Sequence, residues 1–90
     1  MRQRVHLFIK GDVVGVGFRS WTLKQARNLG LTGWVRNLEN RDVEAVVEGE
    51  RGKLIDFVDI CNQGPEISWV ENVETEWTEA KGEFTEFMIR

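Results

Sequence analysis

The chain has 90 residues, enough for one hydrophobic core but not for two, so we expect a single domain over residues 1–90. Its net charge is −3 and its 12 basic residues are interspersed among 15 acidic ones, which leaves no basic stripe for a nucleic-acid backbone. One cysteine, one histidine and the absence of a membrane-length apolar run argue against a disulfide, a metal site and a membrane span.

The N-terminal segment has the pattern of a strand followed by a loop and a helix. Val5, Leu7 and Ile9 alternate with more polar neighbours, which predicts a strand with one buried face. Three glycines within residues 11–17 predict a loop of tight turns. Apolar residues then recur at helical spacing and predict a helix over residues 18–29.

The rest of the chain continues the alternation of strands and helices. Residues 31–38 and 43–48 predict a hairpin, whose turn contains Asn and Asp residues that tolerate positive φ. An apolar stripe predicts a second helix that ends near Gly64, and residues 67–77 and 84–89 predict two more strands. This order is typical of the ferredoxin-like α+β fold, an antiparallel sheet with two helices on one face.

The glycine-rich loop is the strongest functional signal in physical terms. A loop that opens a helix presents free backbone N–H groups at the positive end of the helix dipole, and Arg19 adds a planar cation there, so a phosphate group is a natural ligand. Ser20 stands where a dinucleotide fingerprint needs Gly or Ala, and the Lys-Ser/Thr pair of a nucleotide P-loop is missing. A plain tight turn, with Arg19 in a surface ion pair, remains the alternative.

Two motifs resemble the signatures of the acylphosphatase family. Residues 11–19, GDVVGVGFR, resemble the family's G-x-V-Q-G-V-G-F-R, and residues 33–37, GWVRN, resemble its second signature. The resemblance continues to the last residues of the chain. Val14 stands where the family usually has glutamine, and we expect a cost in loop order or rate.

The resemblance implies hydrolysis of acyl phosphates to a carboxylate and inorganic phosphate by in-line attack of water. It implies that Arg19 anchors the phosphoryl group and that Asn37 positions the water. It also implies a phosphate-binding loop whose backbone amides come from Gly15, Val16, Gly17 and Phe18. A carboxylate leaves without protonation, so we expect neither a general acid nor a cofactor or metal.

Location and partners follow from weaker signals. The basic start of the chain leads into no signal-peptide core, so we expect a cytoplasmic protein, and its size favours a monomer. We expect a small acyl phosphate as the substrate and no nucleic-acid or membrane partner.

Two alternatives remain open from the sequence. One is a catalytically silent domain of the same family that binds phosphate or a protein. The other is an RNA-binding module, since such modules share this order of elements. The acidic third strand, residues 42–47, lacks the basic and aromatic run that RNA recognition requires.

Overall fold

Five strands and two helices make up the described part of the chain, residues 1–15, 17–66 and 68–90 of a computed structural model. In chain order they are β1 (Arg2–Asp12), α1 (Phe18–Asn28), β2 (Thr32–Asn37), β3 (Val43–Glu50), α2 (Arg51–Gln63), β4 (Trp69–Glu79) and β5 (Phe87–Ile89). The strands form one sheet in the order β4-β1-β3-β2-β5, and both helices pack against it. The predicted ferredoxin-like α+β fold is confirmed.

The sheet is mixed, because its last strand runs parallel to its neighbour. The pairs β1–β3, β1–β4 and β2–β3 are antiparallel, whereas β5 pairs in parallel with β2, with Ile89 opposite Val35. The chain leaves β4 at one edge of the sheet and adds β5 at the other edge, so residues 80–86 connect the two edges. The expected antiparallel sheet therefore carries one parallel pair at its edge.

The hydrophobic core lies between the helices and one face of the sheet. Val5, Leu7 and Ile9 of β1 are fully buried, as their alternation predicted. The helices contribute the buried side chains Phe18, Ala26, Leu54, Phe57 and Cys61. Burial raises the pKa of the Cys61 thiol to about 12. Across the described residues, neither helix combines the length and apolarity needed to cross a membrane.

Several element boundaries differ from those predicted. β1 extends through Gly11 and Asp12, which pair with Val70 and Trp69 after a register shift that follows Lys10. Gly11 has a φ of 135°, and a Cβ atom there would collide with the Trp69 carbonyl oxygen, so only glycine allows this close approach. The predicted loop over residues 11–17 thus begins two residues later.

The boundaries of the last two strands also differ from the predicted ones. β4 continues to Glu79, beyond the predicted end at residue 77, and the first residue of the predicted strand, Ile67, lies outside the described residues. β5 begins only at Phe87, because residues 84–86 still belong to the connection from β4.

The hairpin turn uses a different residue at positive φ from the one that the sequence favours. Arg41 has a φ of 72°, whereas Asn40 uses its side chain to accept a hydrogen bond from the Asp42 amide at 3.0 Å. Asparagine therefore acts here as an Asx-turn residue. The left-handed conformation, which costs a non-glycine residue about 1 kcal/mol or more, falls on its neighbour.

A buried carboxylate ties the β4–β5 connection to the middle of the sheet. Glu48 of β3 is 1% exposed and accepts hydrogen bonds from Arg4 Nε at 2.7 Å, the Lys81 amide at 2.8 Å and the Gly82 amide at 3.0 Å. Burial by itself raises the pKa of Glu48, but the hydrogen bonds from Lys81, Arg4 and Gly82 outweigh it and lower the pKa.

We expect Glu48→Gln to lower the free energy of unfolding by about 2 to 3 kcal/mol, because the substitution leaves the Arg4 guanidinium and one amide poorly paired. Glu76→Gln is the matched control, since Glu76 is exposed on β4. Because the pKa of Glu48 is lowered on folding, its contribution is present above the ordinary value of 4.5 and is lost as the pH falls further. Urea denaturation between pH 3 and 7 measures both effects, and equal losses in the two variants would contradict this account.

Candidate active site

The carboxyl ends of β1, β2 and β5 lie together at one end of the sheet. β1 and β2 are both antiparallel to β3, so they run in the same direction, and β5 is parallel to β2. Helix α1 begins at this end of the sheet because it follows β1 in the chain. A cavity of about 160 Å³ lies here, lined by Val13, Gly15, Gly17, Phe18, Arg19, Ser20, Asn37 and Ile89.

The N-terminus of α1 opens into this cavity, and no side chain in the described part of the chain caps it. Gly17 is the N-cap residue, with φ 75° and ψ 19°, and the first turn contains no acidic residue. The Trp21 amide donates to the Gly17 carbonyl at 3.0 Å, whereas no backbone carbonyl of the described residues accepts a hydrogen bond from the amides of residues 18–20. These N–H groups and the helix dipole favour an anion.

Two glycines shape the loop before the helix. Gly15 and Gly17 have φ values of 81° and 75°, and a Cβ atom on either would meet nothing within 4 Å. The positive φ therefore favours glycine at these positions, although the surrounding space would accommodate a side chain. Val14, between them and β1, is half-buried, and its effect on the rate stays a prediction.

The Arg19 side chain lines the cavity from the first turn of α1 and is half-buried. Among the described residues, no carboxylate lies within ion-pair distance of its guanidinium. The alternative that Arg19 serves a surface ion pair therefore finds no support within that part of the chain. A cation held at a helix N-terminus without a counter-charge attracts an anionic ligand.

Asn37 lines the cavity from the end of β2. It is the last residue of β2, two positions after buried Val35, so its side chain lies on the helix-facing side of the sheet. Its Oδ1 is buried and has no hydrogen-bond donor among the described residues. An unpaired buried acceptor costs about 1 to 3 kcal/mol, a cost that a bound water or ligand would remove.

Most of the predicted site residues meet in this cavity. Gly15, Gly17, Phe18, Arg19 and Asn37 all line it, whereas Val16 lies outside the described residues. Three further lining residues were not predicted from the sequence: Val13, Ser20 and Ile89. Val13 and Ser20 flank the predicted loop and could have been included, but Ile89 depends on the parallel pairing of β5 with β2.

The titratable groups with lowered pKa values lie on the other face of the sheet. Burial raises the pKa of Glu44, but hydrogen bonds with His6 and Arg36, both at 2.6 Å, outweigh it and lower the pKa. Glu44 and Glu48 alternate along β3 with Val43, Ala45 and Val47 of the core. Within the described residues, no three His, Cys, Asp or Glu side chains are grouped as a metal site.

The fold and the cavity define a class of protein, a ferredoxin-like α+β domain with a cationic pocket at a helix N-terminus. A family model described as Acylphosphatase matches residues 5–89. The chain therefore belongs to the acylphosphatase family, enzymes that hydrolyse acyl phosphates, and this resemblance, predicted from the two motifs, is confirmed.

Similar proteins support the same family. An acylphosphatase of Moorella thermoacetica is 47% identical over 87 residues, which are 97% of this chain and 92% of that protein. The crystal structure of acylphosphatase from Bacillus subtilis matches with a TM-score of 0.94 at 28% identity over 98% of both chains. An acylphosphatase structure from Coxiella burnetii matches with a TM-score of 0.89 at 36% identity over 99% of this chain and 93% of that one.

We expect inorganic phosphate to bind in the cavity and Arg19→Ala to weaken that binding at least about tenfold, since a charge-assisted hydrogen bond contributes about 1.5 to 3 kcal/mol. Lys24→Ala removes the same charge from an exposed position of α1 and serves as the control. Titration followed by NMR chemical shifts of the Gly15 and Gly17 amides measures both affinities. Equal weakening in the two variants would mean that only net charge matters.

Proposed function

We propose that the cavity at the N-terminus of α1 is the catalytic site for hydrolysis of acyl phosphates, with Arg19 and Asn37 as the two catalytic side chains. One observation carries the proposal. A helix N-terminus without a described capping side chain, an arginine without a described counter-charge, and Asn37, whose Oδ1 has no donor among the described residues, all lie at one cavity.

The phosphoryl group of the substrate binds at the loop. The backbone amides of Gly15 to Phe18 form the phosphate-binding loop, and Arg19 donates two hydrogen bonds from its planar guanidinium to the phosphoryl oxygens. Phosphoryl transfer has a loose transition state with charge spread over these oxygens, so fixed donors lower its energy without covalent catalysis. The unpaired state of Arg19 in the described part of the chain supports this role.

Asn37 holds the attacking water. Its side-chain oxygen accepts a hydrogen bond from the water, which fixes a lone pair toward phosphorus. The water oxygen forms a bond to phosphorus while the bond from phosphorus to the acyl oxygen breaks, and the carboxylate leaves with the electron pair. The water proton passes to a phosphoryl oxygen, so the products are a carboxylate and inorganic phosphate.

The leaving group explains the preference for acyl phosphates over monoesters. A carboxylate is the conjugate base of an acid with a pKa of about 4, so it departs without a proton. A phosphate monoester would release an alkoxide, which needs a general acid or a metal ion. The cavity lining contains no carboxylic acid or imidazole among its described residues, which supports activity limited to activated phosphates.

We expect the purified protein to hydrolyse benzoyl phosphate in the presence of EDTA, and Arg19→Ala and Asn37→Ala each to lower kcat at least about 100-fold, the usual effect of removing a group that stabilises the transition state. Lys24→Ala removes an exposed positive charge and Asn72→Ala an exposed asparagine, and both variants should keep wild-type rates. Circular dichroism checks the folding of every variant. A folded but inactive wild-type protein would favour the catalytically silent phosphate-binding domain instead.

The pH profile tests the path of the proton. Because Asn37 has no titrating group, the pH dependence of kcat should reflect the substrate's phosphoryl group and keep the same apparent pKa in Asn37→Ala at its lower rate. Stopped-flow or steady-state rates between pH 4 and 8 measure this profile. An apparent pKa that moves in the variant would reveal a general base in contact with Asn37.

We further propose that the chain works as a cytoplasmic monomer without a cofactor or a nucleic-acid partner. The helix-free face of the sheet supports the absence of a nucleic-acid partner, because the guanidinium groups of Arg36 and Arg90 lie over the Trp34 ring, at 5.2 and 4.8 Å from its centroid. A ring covered in this way offers little surface for base stacking. Light scattering of the purified chain would test the monomeric state.

A further inference from the structure

We propose that Ile89 makes the site selective for water as the acceptor of the phosphoryl group, by closing the side of the cavity where Asn37 holds the nucleophile. The inference rests on the proposed catalytic roles of Arg19 and Asn37. It concerns the choice of nucleophile, a property that separates a hydrolase from a phosphotransferase.

The pairing of β5 with β2 puts Ile89 beside Asn37. Ile89 lies opposite Val35, and the Arg90 amide donates to the Val35 carbonyl at 2.9 Å, so the strand is held in this register. Neighbouring strands are about 4.8 Å apart, and residues two apart along a strand are about 6.6 Å apart. The Ile89 side chain is therefore within reach of Asn37 on the same face of the sheet, and both line the cavity.

The exposure of the apolar lining residues distinguishes Ile89 from the others. Val13 and Phe18 are 1% and 2% exposed and belong to the core, whereas Ile89 is 38% exposed. Among the described lining residues, Ile89 is therefore the apolar side chain that both lines the cavity and reaches solvent. Its branched Cβ limits the rotamers that the side chain can adopt, so the barrier it forms is stiff.

The small volume of the cavity favours water over larger nucleophiles beside Asn37 and Ile89. The cavity of about 160 Å³ is smaller than the roughly 300 to 1,000 Å³ of typical small-molecule sites. The bound phosphoryl group fills part of it, and Asn37, whose Oδ1 has no donor among the described residues, lines it together with Ile89. A methanol oxygen could donate to Asn37 as water does, but its methyl group would meet Ile89.

Attack by methanol would follow the same balanced course as hydrolysis. The methanol oxygen bonds to phosphorus, the bond from phosphorus to the acyl oxygen breaks, and the carboxylate leaves with the electron pair. The methanol proton passes to a phosphoryl oxygen, which gives methyl phosphate and a carboxylate. The ratio of methyl phosphate to inorganic phosphate therefore reports the choice of nucleophile directly.

The test is hydrolysis of benzoyl phosphate at a fixed concentration of methanol, with both phosphate products counted by ³¹P NMR and corrected for the reaction without enzyme. Ile89→Ala removes three carbons and should raise the ratio of methyl phosphate to phosphate at least about fivefold over wild type, because a closed apolar wall discriminates one methyl group by about tenfold or more. Ile89→Val removes one carbon and should give an intermediate ratio. Met88→Ala is the matched control, since Met88 is the preceding residue of β5, on the other face, and is 45% exposed.

The outcomes separate this inference from the proposed site. An unchanged ratio in folded Ile89→Ala or Ile89→Val, or an equal rise in Met88→Ala, would overturn the role of Ile89. Arg19→Ala in the same assay should lose both products, and its retention of both would overturn the proposed site and the inference with it. A graded rise from wild type through Ile89→Val to Ile89→Ala, with loss of both products in Arg19→Ala, would establish both.

Discussion

The pairing of β1 with β3 at the centre of the sheet constrains every other part of the molecule. Because β1 and β2 both pair antiparallel with β3, they must run in the same direction and finish at the same end of the sheet. Helix α1 follows β1, so Arg19 and Asn37, 18 positions apart in sequence, line the same cavity. The directions of the strands, more than any local motif, therefore bring the site residues together.

The same central strand pair separates two electrostatic environments. Glu44 and Glu48 project from β3 away from the core, where Arg36 and Arg4 offset their charges and His6 is hydrogen-bonded to Glu44. The helix side of the sheet carries the positive end of α1 and Arg19. A protein with a net charge of −3 can therefore attract an anion, because the local field at the cavity depends on nearby groups rather than on the total charge.

The site residues that depend on local conformation could be predicted from the sequence, whereas those that depend on pairing between distant strands could not. Gly15, Gly17 and Arg19 were predicted because a glycine-rich turn before a helix has a local cause, whereas Asn37 came only from resemblance to a family motif. Ile89 was missed because its place depends on β5 crossing to the far edge of the sheet. The strand character of Gly11 likewise depends on its approach to Trp69, more than 50 residues away.

The burial of Cys61 gives the protein an internal reporter of its own opening. It is the one thiol of the chain, lies on the inner side of α2 and has a pKa raised to about 12, so alkylating reagents find almost no reactive thiolate in the native state. Modification must wait until α2 separates from the sheet. The rate at which this single thiol is alkylated therefore measures how often the core opens.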